Sequence, residues 1–186
     1  DLPDGGAEHF QQVIERVRAV NPGIVIEVLT PDFQADDAAI NTVLSARPEI
    51  FNHNLETVRR LTPVVRSVAT YARSLSVLKK VKSRAPELHT KSGLMLGLGE
   101  TEEELLQALR DLREARCDIL TLGQYLQPSQ KHLPVAEFIH PDKFAEHKEI
   151  AEAMGFLHVA SGPLVRSSYH ADDFTPERFA FKHDQV

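Results

Sequence analysis

Two kinds of apolar segment alternate along the whole chain. Phe10, Val13, Ile14 and Val17 recur at helical spacing, Asn21-Pro22-Gly23 interrupts, and the β-branched run Ile24 to Val28 follows. The pattern repeats with a helix predicted over Asp36 to Ala46 and a strand over Glu49 to Asn52. A basic helix over Tyr71 to Arg84 then leads to a strand over Thr90 to Leu98. Thr101 and Glu104 have the spacing of a capping box ahead of the stripe Leu105, Leu109 and Leu112. A strand over Ile119 to Tyr125, a helix over Pro141 to Met154 and a strand over Phe156 to Ala160 complete the series. Alternation of this kind specifies an α/β fold with parallel strands. Periodicity leaves open whether the sheet is doubly wound or part of a barrel.

A chain of 186 residues, 42% of them hydrophobic, is long enough for one core, and Thr175-Pro176 is placed to open a short helix in its tail. The formal charge of -6 argues against nucleic acid or an anionic membrane surface as the main partner. No apolar run reaches the roughly 18 residues of a membrane helix. The opening DLPDGG is turn-like and lacks Met, which suggests a fragment rather than a leader peptide. Cys117 is the single cysteine, so the chain has no internal disulfide and cannot build a site from several thiolates.

Sites in α/β folds collect at the carboxyl ends of the strands. Four polar clusters fall there: Thr30-Pro31-Asp32, Asn52 to Glu56, Gly97 to Glu100, and Gln124 to Ser129. The glycine turn suits either an anion at a helix N-terminus or a plain tight turn. Asn54 and Glu56 suit either the two hydroxyls of a ribose or the cap and first turn of a helix. The nine histidines show no HExxH or HxxxH pairing, and neither a GxSxG elbow nor a GK[ST] loop occurs. Cys117 reads as a buried small hydrophobe late in a helix. Lys79, Lys80, Lys82 and Arg84 form either a solvated face or a docking surface for an acidic partner.

Seven strings in order, DLPDGGAEHF, IEVLTPDF, FNHNLETV, TKSGLMLGLGET, DILTLGQYLQPS, HLPV and VASGPLVRSSYHAD, resemble the lipoyl synthase family across nearly the whole chain. GQYLQPS and SGPLVRSSYHA are the most family-specific. FNHNLET is also similar to a segment of biotin synthase, and GLMLGLGE to the GxIxGxxE motif of radical SAM enzymes. The resemblance implies residues 1–163 as part of a radical SAM partial barrel and 164–186 as an extension carrying RSSYH. It also implies S-adenosylmethionine (SAM) as cofactor, with Asn54 and Glu56 at the ribose, Gly93, Gly97 and Glu100 in the GxIxGxxE strand, and Arg73 on the methionyl carboxylate. Ser167 or Ser168 would be an oxygen ligand of an auxiliary four-iron cluster.

The implied reaction inserts sulfur at the sixth and eighth carbons of an octanoyl group carried by a lipoyl domain or a glycine-cleavage carrier protein. It needs an electron donor and two 4Fe-4S clusters, in a cytoplasm or, alternatively, a mitochondrion or plastid. The family's CxxxCxxC motif and its auxiliary-cluster cysteines are missing from these residues. The chain alone is therefore expected to bind no stable cluster and to cleave no SAM. The competing readings are another nucleotide- or SAM-binding α/β enzyme and a carrier-binding module without catalysis.

Overall fold

Each predicted strand forms, and all of them pair in parallel. The structure, a computed structural model, describes residues 2–168. Helix α1 (Ala7–Val20) precedes β1 (Glu27–Leu29), and α2 (Asp37–Ser45) precedes β2 (Ile50–Asn52). The single turn α3 (Thr62–Val65) and α4 (Tyr71–Arg84) precede β3 (His89–Leu96). Helix α5 (Glu102–Glu114) precedes β4 (Ile119–Gln124), and α6 (Pro141–Ala153) precedes β5 (His158–Gly162). The strands lie in the order β1-β2-β3-β4-β5. Because that order never reverses, the sheet has no switch point and is not the doubly wound alternative. Side-by-side βα units are the winding of a β/α barrel, here a five-stranded part of one.

Alternation along the strands gives the sheet two unlike faces. Leu94, Leu96, Leu120, Leu122 and Val159 point outward into one cluster with Leu105, Leu109 and Leu112 of α5 and Phe144 of α6. Val28 and Phe51 point into a second, with Ile14 of α1, Ile40 and Val43 of α2, and Val77 and Val81 of α4. Burial contributes about 1.5–3 kcal/mol for each such leucine, so packing decides that α5 docks. The capping box decides where it starts: Glu104 N donates to Thr101 Oγ1 and Thr101 N to Glu104 Oε2.

The inner face is layered. Ile50 and Ile119 close its base. Asn52 pairs with Lys91 and Lys91 with Ile119, and Gly93 pairs with Thr121 two residues further along the strands. Apolar side chains give way to polar ones and then to glycine toward the carboxyl ends of the strands, where space opens.

The boundaries differ from expectation where local contacts compete with the ladder. Strand β1 begins at Glu27, because the Glu49 carboxylate takes the Ile26 amide at 2.8 Å and is itself gripped by Arg18. Ile24 and Val25 stay partly exposed. Helix α3 is too short for a periodic signal. Cys117 lies in the connection beyond α5, not within it, yet is fully buried. The Thr175-Pro176 helix and most of the 164–186 extension fall outside the described residues.

Candidate functional site

A cavity of about 210 Å³ opens on the inner face, with Asn54, Glu56, Gly93, Thr121, Gly123 and Ser167 among its lining. Its near wall follows β2. The chain leaves β2 at Asn52 without starting a helix, and the next helix begins only at Thr62. Glu56 N donates to the Gly93 carbonyl at 2.9 Å and Met95 N to the Glu56 carbonyl at 2.8 Å, lacing the segment beside β3. The buried Leu55 side chain anchors it from the opposite face. The helix-cap reading of Asn54 is thereby replaced: Asn54 and Glu56 sit on a strand-like extension and face the cavity.

Asn54 Oδ1 is buried and has no hydrogen-bond partner among the described residues. Burial raises the Glu56 carboxyl above the ordinary range, while the Asn54 amide and the Arg66 charge pull it back. Behind them His53 is 1% exposed. Its Nδ1 meets the Thr30 carbonyl at 3.0 Å and its Nε2 the Ser74 hydroxyl at 2.9 Å. Burial lowers its pKa, so a neutral ring donating from Nδ1 fits both contacts. Arg66 ties this support to the site, donating to Ser74 Oγ and to the Asn54 carbonyl.

The remaining predicted residues are spread out. Gly97 and Glu100 shape the turn beyond β3. The Glu100 carboxylate takes the Gly97 and Leu98 amides at 2.6 and 2.9 Å, so those amides are not open to an outside anion. A β-carbon at Gly97 would collide with the Glu137 carbonyl and Gln124 Nε2. Arg73 lies at the tip of β1, paired with Asp32 at 2.6 Å and lining a separate hollow with Phe33 and Val68. Burial pushes the Asp32 carboxyl up, but the Gln34 amide and Arg73 outweigh it and hold it low. Ser167 lines the cavity, Ser168 is exposed, and Tyr169 and His170 fall outside the described residues.

Sequence reasoning missed Thr121, Gly123, Lys91 and Arg66. A signal was present for the first two: in Ile119-Leu120-Thr121-Leu122-Gly123 a small or polar residue alternates with leucine, as a strand does when one face lines a cavity.

The basic run, which reads as a solvated face or a docking surface, is paired within the chain. Lys79 pairs with Glu114, Lys80 and Arg84 share Asp37, and Lys82 is buried against Asp118. Intramolecular carboxylates already answer these charges. The Cys117 thiol, pushed up to about 12 by burial, is no ready thiolate. Among the described residues no group of three or more His, Cys, Asp or Glu comes together to hold a metal ion.

The radical SAM superfamily signature matches residues 1–112. The chain belongs to the radical SAM superfamily. It is 57% identical over 94% of its length to a lipoyl synthase of Caldicellulosiruptor saccharolyticus. It is 59% identical over 93% to lipoyl synthase 2 of Gloeobacter violaceus. It spans 61% and 60% of those two proteins. Among solved structures, methylornithine synthase superposes with a TM-score of 0.60 at 14% identity, covering 94% of this chain and 59% of that one. The methyltransferase TsrM of Kitasatospora setae superposes at 0.50 with 15% identity, covering 75% of this chain and 27% of that one. Both likenesses concern the fold. No helix among the described residues is long and apolar enough to cross a membrane.

Proposed function

We propose that this chain forms the SAM-facing portion of a lipoyl synthase, which inserts sulfur at the sixth and eighth carbons of a protein-bound octanoyl group. One observation carries the cofactor reading: a buried, unpartnered Asn54 Oδ1 beside the Glu56 carboxylate, over a glycine floor at Gly93. A ribose presents two adjacent hydroxyls, and this pair can accept from both while the Asn54 amide donates back. The names of the relatives support the choice of reaction and of a lipoyl carrier as partner.

Bound SAM, given one electron from a cluster held outside these residues, would supply the hydrogen-abstracting chemistry. The residues of this chain bind and orient it. Asn54 and Glu56 would hold the ribose and Gly93 would let the adenosine approach the strand, whereas Arg73, paired with Asp32 beside a separate hollow, would reach the methionyl carboxylate only by leaving that pair. Gly97 and Glu100 act at one remove by fixing the turn that ends β3.

The donor set does not suit a four-iron cluster, since the one thiol is buried and protonated. By itself the chain is proposed to hold no stable cluster and to cleave no SAM. Ser167 or Ser168 remains the oxygen proposed for an auxiliary cluster whose thiolates come from elsewhere.

The test is SAM affinity in the full-length protein, by equilibrium dialysis, for Asn54→Ala and Glu56→Gln. Losing hydrogen bonds to buried groups predicts about a tenfold or greater weakening in each, with unchanged thermal unfolding. Wild-type affinity in both variants overturns the cofactor reading. Failure to convert an octanoylated carrier domain to its lipoyl form overturns the reaction.

A further inference from the structure

Below the cavity, Lys91 is 0% exposed although lysine is almost never fully buried without a partner. Its ammonium donates to Glu27 Oε2 at 2.8 Å and to the backbone carbonyl of Ser167 at 2.5 Å. Glu27 is steadied in turn by the Asn52 amide at 2.8 Å. On the same face Ile119, the register partner of Lys91, and Ile50, two residues before Asn52, are buried apolar side chains, so the space does not demand an ion pair. Desolvation makes buried ion pairs weak sources of stability. This one instead delivers a charged donor to a carbonyl 76 residues further along the chain.

A second feature fixes the same segment. A β-carbon on Gly123 would collide with the Val165 carbonyl. Glycine therefore leaves a notch in β4 across which the chain after β5 passes, while the Val165 amide turns back to the Gly162 carbonyl at 3.1 Å. Val165, Arg166 and Ser167 then line the cavity opposite Asn54 and Glu56.

We propose that Lys91 and Gly123 are positioning residues that hold the Val165 to Ser167 segment as the far wall of the cavity. They fix where that segment carries Ser167, one of the two serines proposed as a cluster oxygen. The placement of the wall rests on the geometry alone. Its consequence for sulfur insertion rests on the lipoyl synthase reading.

The experiment uses full-length protein carrying Gly123→Ala or the paired change Lys91→Met with Glu27→Gln, which removes both charges of the pair together. Hydrogen exchange is followed by mass spectrometry over residues 160–168 and over β3 and β4. Deoxyadenosine and lipoyl product are counted in the same preparations. Exchange over 164–168 is expected to rise about tenfold or more in both variants while β3 and β4 keep their protection. In the Lys91→Met with Glu27→Gln protein, whose changed residues do not line the cavity, deoxyadenosine formation should stay within about threefold while product per deoxyadenosine falls about tenfold. Wild-type exchange over 164–168 in folded variants overturns the positioning role. Raised exchange with an unchanged ratio of product to deoxyadenosine overturns only its link to sulfur insertion, and wild-type protein that makes no lipoyl product overturns the function and leaves the exchange result standing.

Discussion

Asn54 Oδ1 lies 3.0 Å from the point that a β-carbon on Gly93 would occupy, and Thr121 Oγ1 lies closer still at 2.7 Å. The closeness joins two segments that sequence reading treats separately. Glycine at the middle of β3 keeps the cavity floor flat, and the asparagine carbonyl is poised over that floor. A methyl group there would occupy the space and disturb the orphaned oxygen together.

Gly93→Ala is therefore expected to weaken SAM binding by about tenfold or more, while overpacking costs about 1–3 kcal/mol of stability. Thr121 can rotate its hydroxyl away, but Asn54 is held by its backbone on both sides. Affinity should consequently fall further than stability alone explains. Pairing Gly93→Ala with Thr121→Ala, which removes the colliding Oγ1, should restore stability and leave the affinity defect. Recovery of both would mean that the collision with Thr121 is the whole effect.

Glu56 gives the site a pH dependence. Burial raises its folded-state pKa above 4.5, so the carboxylate proposed to accept from a ribose predominates only above that raised value. SAM affinity is expected to be full above it and to fall as pH drops through it, in a window that begins above 4.5. Its effect on stability has the opposite sense. The folded state holds the proton more tightly, so the contribution of Glu56 is present below 4.5 and is lost as pH rises through the folded pKa. Dialysis from pH 4.5 upward should show the affinity slope in wild type and a flat line in Glu56→Gln.

Much of this was legible from the residues, and the reasons for the rest are local. The Leu105, Leu109 and Leu112 stripe and the Thr101 box announce α5 because packing and capping are both short-range in sequence. Asn54 was legible as a polar strand end but not as uncapped, because the lacing that prevents a helix comes from Gly93 and Met95, far along the chain. Lys91 was hidden for the same reason. Within Thr90-Lys91-Ser92 it resembles an ordinary surface lysine, and only the fold brings Glu27 and the Ser167 carbonyl to it. Strand order, too, depends on how the units stack, which no single segment encodes.

Cys117 is expected to be inert while the protein is folded. The side chain is 0% exposed and burial pushes its thiol to about 12. Almost no thiolate forms at neutral pH, and reagent cannot reach what does form. In the 186-residue chain, labelling by a maleimide should therefore track global unfolding across a denaturant titration. Rapid labelling in buffer would show that the connection between α5 and β4 opens locally.

The basic run on α4 should divide into two kinds of residue. Lys82 and Asp118 have side chains only 10% and 13% exposed and meet at 2.7 Å. The ammonium also donates to the Pro86 and Leu88 carbonyls, while Asp118 Oδ2 accepts from the Thr90 amide. Lys82→Met strands that carboxylate in the interior, with a predicted loss of about 3–5 kcal/mol in chemical denaturation. Lys79, paired with Glu114 across solvent at side-chain exposures of 48% and 74%, should change stability by less than about 0.5 kcal/mol when replaced by Ala. If these charges recruited an acidic carrier, Lys79→Ala would weaken carrier binding and its salt dependence. The intramolecular pairing predicts no change in either, and places the role of the run in joining α4 to α2, to the end of α5 and to the connection before β4.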